Sequence, residues 1–335
     1  MKQIKPEHLK VGDTVGIVSP SSSMLEFPRR LQRGIKYLSE NLGLTVLLGA
    51  NARGCITDTS GTPEQRVDDI HQFLLNPSVK AIICSTGGYN SIDLLSLLDY
   101  DLFIRNPKIF CGFSDVTALT NSITKKTGLV TFSGPTVLPS FGVYESLNEF
   151  TREYFLKTLF SLNPVGVLNS TKEYSDEDLY WDRDDTRPLK YKPAKPYSVL
   201  YGVNSVSGPL WGGNLDTFSM LAGTEFMPTL SGAILMVEDS TRNPSLFLRN
   251  IKHLELQGTF SQIHGLLVGR FLTCSVTWRS ALLECLKEIG VKNNIPIVID
   301  LDIGHTVPLI TLPISIRVEI NVPEGVVTIL EPAVL

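Results

Sequence analysis

Through the first half of the chain, short apolar runs rich in β-branched residues alternate with stretches whose apolar positions recur at helical spacing. The runs are "DTVGIVSPS", "LTVLLGA", "VKAIICSTGG", "KIFCGFS" and "LVTFSGP". Between them lie "FPRRLQRGIKYLSENLG", "TPEQRVDDIHQFLLNPS", "SIDLLSLLDYDLFI" and "DVTALTNSITKKTG". This alternation predicts βαβ units around a parallel sheet. In such a sheet the loops at the carboxyl ends of the strands form the binding crevice. The runs ending at Ser19-Pro20-Ser21, Thr86-Gly87-Gly88 and Gly112-Phe113-Ser114 therefore open onto one rim.

Past a helical stretch near Leu147 to Ser161, the pattern lapses. The segment "NPVGVLNSTKEYSDEDLYWDRDDTRPLKYKPAKPYSVLYG" is polar, charged and proline-bearing, and too long for an idle connector. We place the division there: an α/β domain over 1–165, an inserted loop over 166–205 and a second domain over 206–335. In the last part, "GAILMVEDS", "HGLLVGRF" and "IPIVIDLDIGH" alternate with helix-like segments and precede a hairpin-like pair, "SIRVEINVPEGVVTILEP". A mixed, β-rich sheet is predicted for it.

Bulk composition narrows the function classes. With 335 residues, 43% hydrophobic and 19% charged, the chain has material for two ordinary domains. A net charge of -4 with mixed signs gives no reason to expect nucleic acid or a membrane surface as partner. No run approaches membrane-spanning length and the start resembles no signal peptide, so a cytoplasmic protein is expected. Cys55, Cys84, Cys111, Cys274 and Cys285 have no CxxC spacing and read as thiols in a reducing compartment.

Ser114 is the best nucleophile candidate, because a serine on a tight strand-to-helix turn faces the free amides and positive dipole of the next helix. The amide of Asp115 would be one oxyanion donor and Gly88 another. The plainer alternative is that Ser114 or Asp115 only caps the helix. The G-x-S-x-G elbow is incomplete, since Val116 takes the place of the second glycine. Of the histidines, His8, His71, His253 and His264 read as surface or structural, while His305 follows an apolar strand and a glycine on a carboxyl-end loop. Glu238, ending "GAILMVEDS", could orient that base, or could be merely solvated beside a helix cap. Three strands each ending in one of Ser, Glu and His together favour a hydrolase.

With these residues in place, the sequence resembles the serine carboxypeptidases that include bacterial LD-carboxypeptidases and microcin C self-immunity proteins. "GDTVGIVSPSS", "STGGYNSIDLLSLLDYD", "NPKIFCGFSDVTAL", "GGNLDTFSMLAGTEFMP", "ILMVEDS", "GLLVGRF" and "DIGHT" carry the resemblance in the family's order over nearly the whole chain. It implies a flavodoxin-like parallel-sheet domain followed by a mixed, partly barrel-like β-rich domain, assembled as a homodimer. It implies Ser114 as nucleophile, His305 as base and Glu238 as its orienting acid, with Gly88 and Asp115 as the oxyanion hole. No metal or other cofactor is implied. Asn214 and Arg242 fall where the immunity branch places substrate contacts, although Asn214 could instead fix its own turn and Arg242 be solvated.

Two substrate classes fit the family: a murein tetrapeptide losing D-alanine, and an aminoacyl-nucleotide of the processed microcin C type. Trp181, in "EDLYWDRDDTRPLKY", resembles the immunity branch's adenine-stacking residue and inclines the reading to the second. Alternatively it pins the loop to the protein body or to a partner subunit. Trp211 reads as core or pocket wall, and Trp278 as packing within the second domain. A non-enzymatic small-metabolite-binding protein remains the other class, and it requires Glu238 and His305 to lie far from Ser114.

Overall fold

The structure is a computed structural model describing residues 2–272 and 275–335, so Cys274 lies outside the described residues. In chain order the first half forms β1 (Thr14–Val18), α1 (Pro28–Lys36), β2 (Thr45–Leu48), α2 (Pro63–Leu75) and β3 (Val79–Cys84). It continues with α3 (Tyr100–Arg105), β4 (Ile109–Gly112), α4 (Thr117–Thr127), β5 (Phe132–Ser133) and α5 (Glu149–Leu159). Local chemistry sets several boundaries. "TPEQ" closes a capping box between Thr62 and Gln65 with Pro63 in the first turn of α2. Gly128, at φ 77°, ends α4 in the left-handed conformation.

The strands of this half pair in parallel in the order β2-β1-β3-β4-β5, the flavodoxin-like arrangement. Helices screen both faces, which is why β3 and β4 are near-continuous apolar runs and almost wholly buried. The order reverses between β1 and β3, and that switch point is where the crevice opens.

The remainder supplies β6 (Gly166–Val167), β7 (Glu173–Tyr174), β8 (Lys192–Pro193), β9 (Ser198–Tyr201), β10 (Val206–Asn214) and α6 (Leu215–Met220). Then follow β11 (Ile234–Glu238), α7 (Pro244–Leu256), β12 (Gly265–Gly269), α8 (Val276–Asn293) and β13 (Ile297–Leu301). Last come β14 (Leu312–Pro313), β15 (Arg317–Asn321) and β16 (Val326–Ile329). The second sheet runs β6-β16-β15-β10-β11-β12-β13-β9, with β10 to β13 parallel and the flanks antiparallel. It is the mixed sheet the sequence predicts.

Three features differ from expectation. The segment read as a loop over 166–205 carries four short strands, two of which, β6 and β9, edge the second sheet. Short edge strands have no buried period to betray them. β14, from the second half, returns to pair antiparallel with β5 on the edge of the first sheet. Trp278 is 44% exposed rather than enclosed in the second domain, whereas Trp211 is buried in the core. Among the described residues, no helix is long and apolar enough to cross a membrane.

Candidate active site

β4 ends at Gly112, Phe113 stays extended, and Ser114 turns to φ 63° before α4 begins. A left-handed serine is strained, and such strain persists only where its surroundings enforce it. Glycines make the room. A Cβ on Gly87 would come within 2.8 Å of Ser114 Oγ, and one on Gly112 within 2.8 Å of Val116 Cγ1. Val116 is fully buried against Gly112, so the elbow's second glycine is replaced by core packing.

Neither Ser114 nor Asp115 caps the helix. The buried Asp115 carboxylate instead accepts the Ser21 hydroxyl at 2.6 Å and the Ser91 N–H at 2.8 Å, and its carbonyl accepts the Ser91 hydroxyl at 2.6 Å. These bonds tie the loops after β1, β3 and β4 into one rim. Among the described residues, the N–H groups of Gly88 and Asp115 have no protein acceptor.

His305, on the loop after β13, joins the two halves. Its Nε2 lies 3.0 Å from Ser114 Oγ and its Nδ1 2.7 Å from Glu238 Oε2. A carboxylate only accepts, so the neutral ring carries its proton on Nδ1 and receives the serine hydroxyl at Nε2. Phe113 packs on the imidazole at 5.1 Å between ring centroids. Burial pulls the His305 pKa down, but the charge and hydrogen bond of Glu238, with Asp239 behind, more than offset it. The net position is above the ordinary 6.5.

Glu238 ends β11 almost buried, and β11 pairs in parallel with β10 so that Asn214 lies beside it. Asn214 Nδ2 donates to Glu238 Oε1 at 3.1 Å, while its Oδ1 accepts the N–H and hydroxyl of Thr217 at the start of α6. Both ends of this amide are therefore engaged: Asn214 fixes its own turn, as one reading of the sequence had it, and also holds the acid. Gly304, at φ 88°, lets Glu238 reach the ring, because a Cβ there would overlap the carboxylate. Gly304→Ala is expected to lose about 1–3 kcal/mol of stability and most activity, measured by thermal denaturation and kinetics on one preparation. Near-wild-type values in both would contradict this packing. His8, His71, His253 and His264 bond elsewhere, away from the serine.

Two cavities meet at His305 and Ser240. A polar one of about 440 Å³ contains Ser114, Gly88, Asp115 and Asn214. An aromatic one of about 420 Å³ is walled by Trp181, Tyr144, Tyr191 and Arg242. The Arg30 guanidinium lies 4.7 Å over the Trp181 ring, and Phe27 packs edge-on at 5.1 Å. Arg242 is exposed and donates from Nη2 to the Asp176 carbonyl at 2.9 Å, so it lies on the aromatic side rather than beside the serine.

The inserted loop is held by contacts that sequence reading missed. Asp182 accepts the N–H groups of Arg29 at 2.6 Å and Arg30 at 2.9 Å, capping α1, which its own preceding residue does not cap. Buried Asp185 pairs with Arg30 and Arg33. Trp181 is thus both a pin for the loop and a wall of the cavity. The acidic run "DRDD" was the available signal, but nothing local names partners so distant in sequence.

Strand ends of the two sheets bring a strained serine, an imidazole and a buried carboxylate into contact, the arrangement of a serine peptidase, and the protein is an enzyme of that class. Residues 15–134 match the LD-carboxypeptidase N-terminal domain and residues 207–320 the LD-carboxypeptidase C-terminal domain. The chain belongs to the LD-carboxypeptidase family. It is 37% identical over 311 residues to the putative carboxypeptidase YocD of Bacillus subtilis, covering 92% of this chain and 93% of the relative. It is 34% identical over 330 residues to the microcin C7 self-immunity protein MccF of Escherichia coli, covering 96% and 94%. The structure of microcin C7 self-immunity protein MccF in complex with aspartyl sulfamoyl adenosine superposes with a TM-score of 0.91 at 32% identity, covering 99% of this chain and 100% of that one. A tryptophan-to-phenylalanine variant of MccF was solved with adenosine monophosphate.

Proposed function

We propose that this enzyme hydrolyses an amide adjacent to a free carboxylate, in compounds joining an amino acid to a nucleotide-like group. In this reading Ser114 Oγ attacks the carbonyl as His305 Nε2 takes its proton. Glu238 holds the tautomer and stabilises the imidazolium. The N–H groups of Asp115 and Gly88 receive the oxyanion in the polar cavity. His305 then protonates the departing nitrogen, and water releases the acid by the reverse sequence. Asn214 serves as a positioning residue for Glu238, and Arg242, on the aromatic side, offers its guanidinium to the nucleotide-bearing part of the substrate. The reading includes a cytoplasmic homodimer.

The observation that carries the substrate class is Trp181. It borders an aromatic cavity that adjoins His305, and Arg30, Phe27 and the Asp182 cap hold it there. The complexes of MccF with aspartyl sulfamoyl adenosine and of its tryptophan variant with adenosine monophosphate support the same assignment. Incubating the protein in parallel with aspartyl sulfamoyl adenosine and an LD-tetrapeptide, with products read by mass spectrometry, tests it. Free aspartate is expected; release of D-alanine alone would move the enzyme to murein recycling. Trp181→Ala should raise KM for the adenosine compound about tenfold, with kcat nearly unchanged, through loss of base stacking. An unchanged KM would remove Trp181 from the substrate site.

A further inference from the structure

Beneath the β7–β8 pair lies another cavity, of about 270 Å³, lined by Tyr174, Lys192, Lys195, Arg270, Arg279 and a single acid, Asp300. Leu272 borders both this cavity and the aromatic one. Arg270 follows the carboxyl end of β12 and is only 6% exposed. Its Nε donates to Asp302 Oδ1 at 2.6 Å, yet its Nη2 is buried without a hydrogen-bond partner among the described residues. Tyr174 braces the cluster, its ring centroid 5.3 Å from the Arg270 guanidinium carbon and 4.8 Å from Lys192 Nζ.

The neighbouring carboxylates are already committed. Asp302 pairs with Arg270, Asp300 with Arg279 at 2.6 Å, and Asp176 with Lys192 at 2.7 Å. None reaches Arg270 Nη2, and Lys195 makes no ion pair among the described residues. A guanidinium N–H buried without an acceptor has lost its hydration uncompensated, so an acceptor brought into the cavity gains more here than at the surface. Guanidinium geometry suits an oxyanion, and the adjacent ammonium and second guanidinium add charge of the same sign.

We propose that this cavity binds a compact oxyanion, a phosphate or phosphomonoester, held by Arg270 Nη2 with Lys195 and Arg279. The assignment does not depend on the chemistry at Ser114. The phosphate has two sources: a free anion, or a group on the far end of a molecule whose body fills the aromatic cavity across Leu272.

Calorimetric titration of the full chain with inorganic phosphate, at low and constant ionic strength, tests the site. Saturable one-to-one binding is expected. Arg270→Lys keeps the charge facing Asp302 but removes Nη2, and should weaken binding about tenfold. Lys195→Gln, at an exposed position, should weaken it in a protein whose fold is undisturbed. Absence of saturable binding, or affinity unchanged in a folded Lys195→Gln protein and in Arg270→Lys, would overturn the assignment. Repeating the phosphate titration on protein saturated with adenosine monophosphate separates the sources. Competition assigns the anion to a nucleotide-bearing ligand; additive binding assigns it to a separate one.

Discussion

Ser114→Ala is expected to lower kcat by about a millionfold while leaving the fold unchanged. The substitution removes only the hydroxyl, whose partner among the described residues is His305 Nε2 at 3.0 Å. Alanine meets the left-handed backbone at this position with the same penalty as serine, so the turn itself is not relieved or further strained. Glycine at 87 and 112 continues to hold the elbow. Single-turnover hydrolysis of aspartyl sulfamoyl adenosine gives the rate, and circular dichroism with thermal denaturation gives the fold. Full activity in a folded Ser114→Ala protein would remove the serine from the mechanism.

Glu238→Gln is expected to cost about 10⁴ in kcat. Glu238 accepts two hydrogen bonds, one at each oxygen: Asn214 Nδ2 at Oε1 and His305 Nδ1 at Oε2. Glutamine has only one oxygen. If that oxygen serves Asn214, the new NH₂ faces Nδ1 and forces the ring proton onto Nε2, where it can no longer accept from the serine. If it serves His305, the NH₂ faces the Asn214 amide, which cannot flip because its Oδ1 caps α6 through Thr217. The variant also moves the pH profile in a definite direction. In the proposed mechanism the base is neutral His305, whose pKa the Glu238 charge lifts above 6.5 against the pull of burial, so wild-type kcat/KM is expected to fall as pH drops through a value above 6.5. Without that charge burial prevails, and the acid limb of the residual activity shifts to lower pH. A limb that stays in place would mean another group controls it.

Much of the site was legible because a parallel sheet sends all its strand ends to one side. Ser114, Glu238 and His305 each close or follow an apolar run, which marked them as candidates, and the first sheet followed from the same pattern; that the ends of two separate sheets meet was not legible from strand direction. The Asn214–Glu238 contact was not legible, since it depends on which strands pair and in what register. β14 is two residues long, too short for any period. The holds on the inserted loop, Asp182 on α1 and Asp185 on Arg30 and Arg33, join positions more than a hundred residues apart, and no local spacing encodes them.

The separation of Ser114 from His305 by 191 positions, with β14 returning to the edge of the first sheet after the histidine, orders events during synthesis. When the serine leaves the ribosome, the histidine proposed to activate it has yet to be made. A nascent or truncated chain ending before His305 holds a serine without its imidazole partner on an unfinished sheet. Synthesis must pass His305 before the proposed base can reach the serine, so in the proposed mechanism a product that stops earlier has no hydrolytic activity.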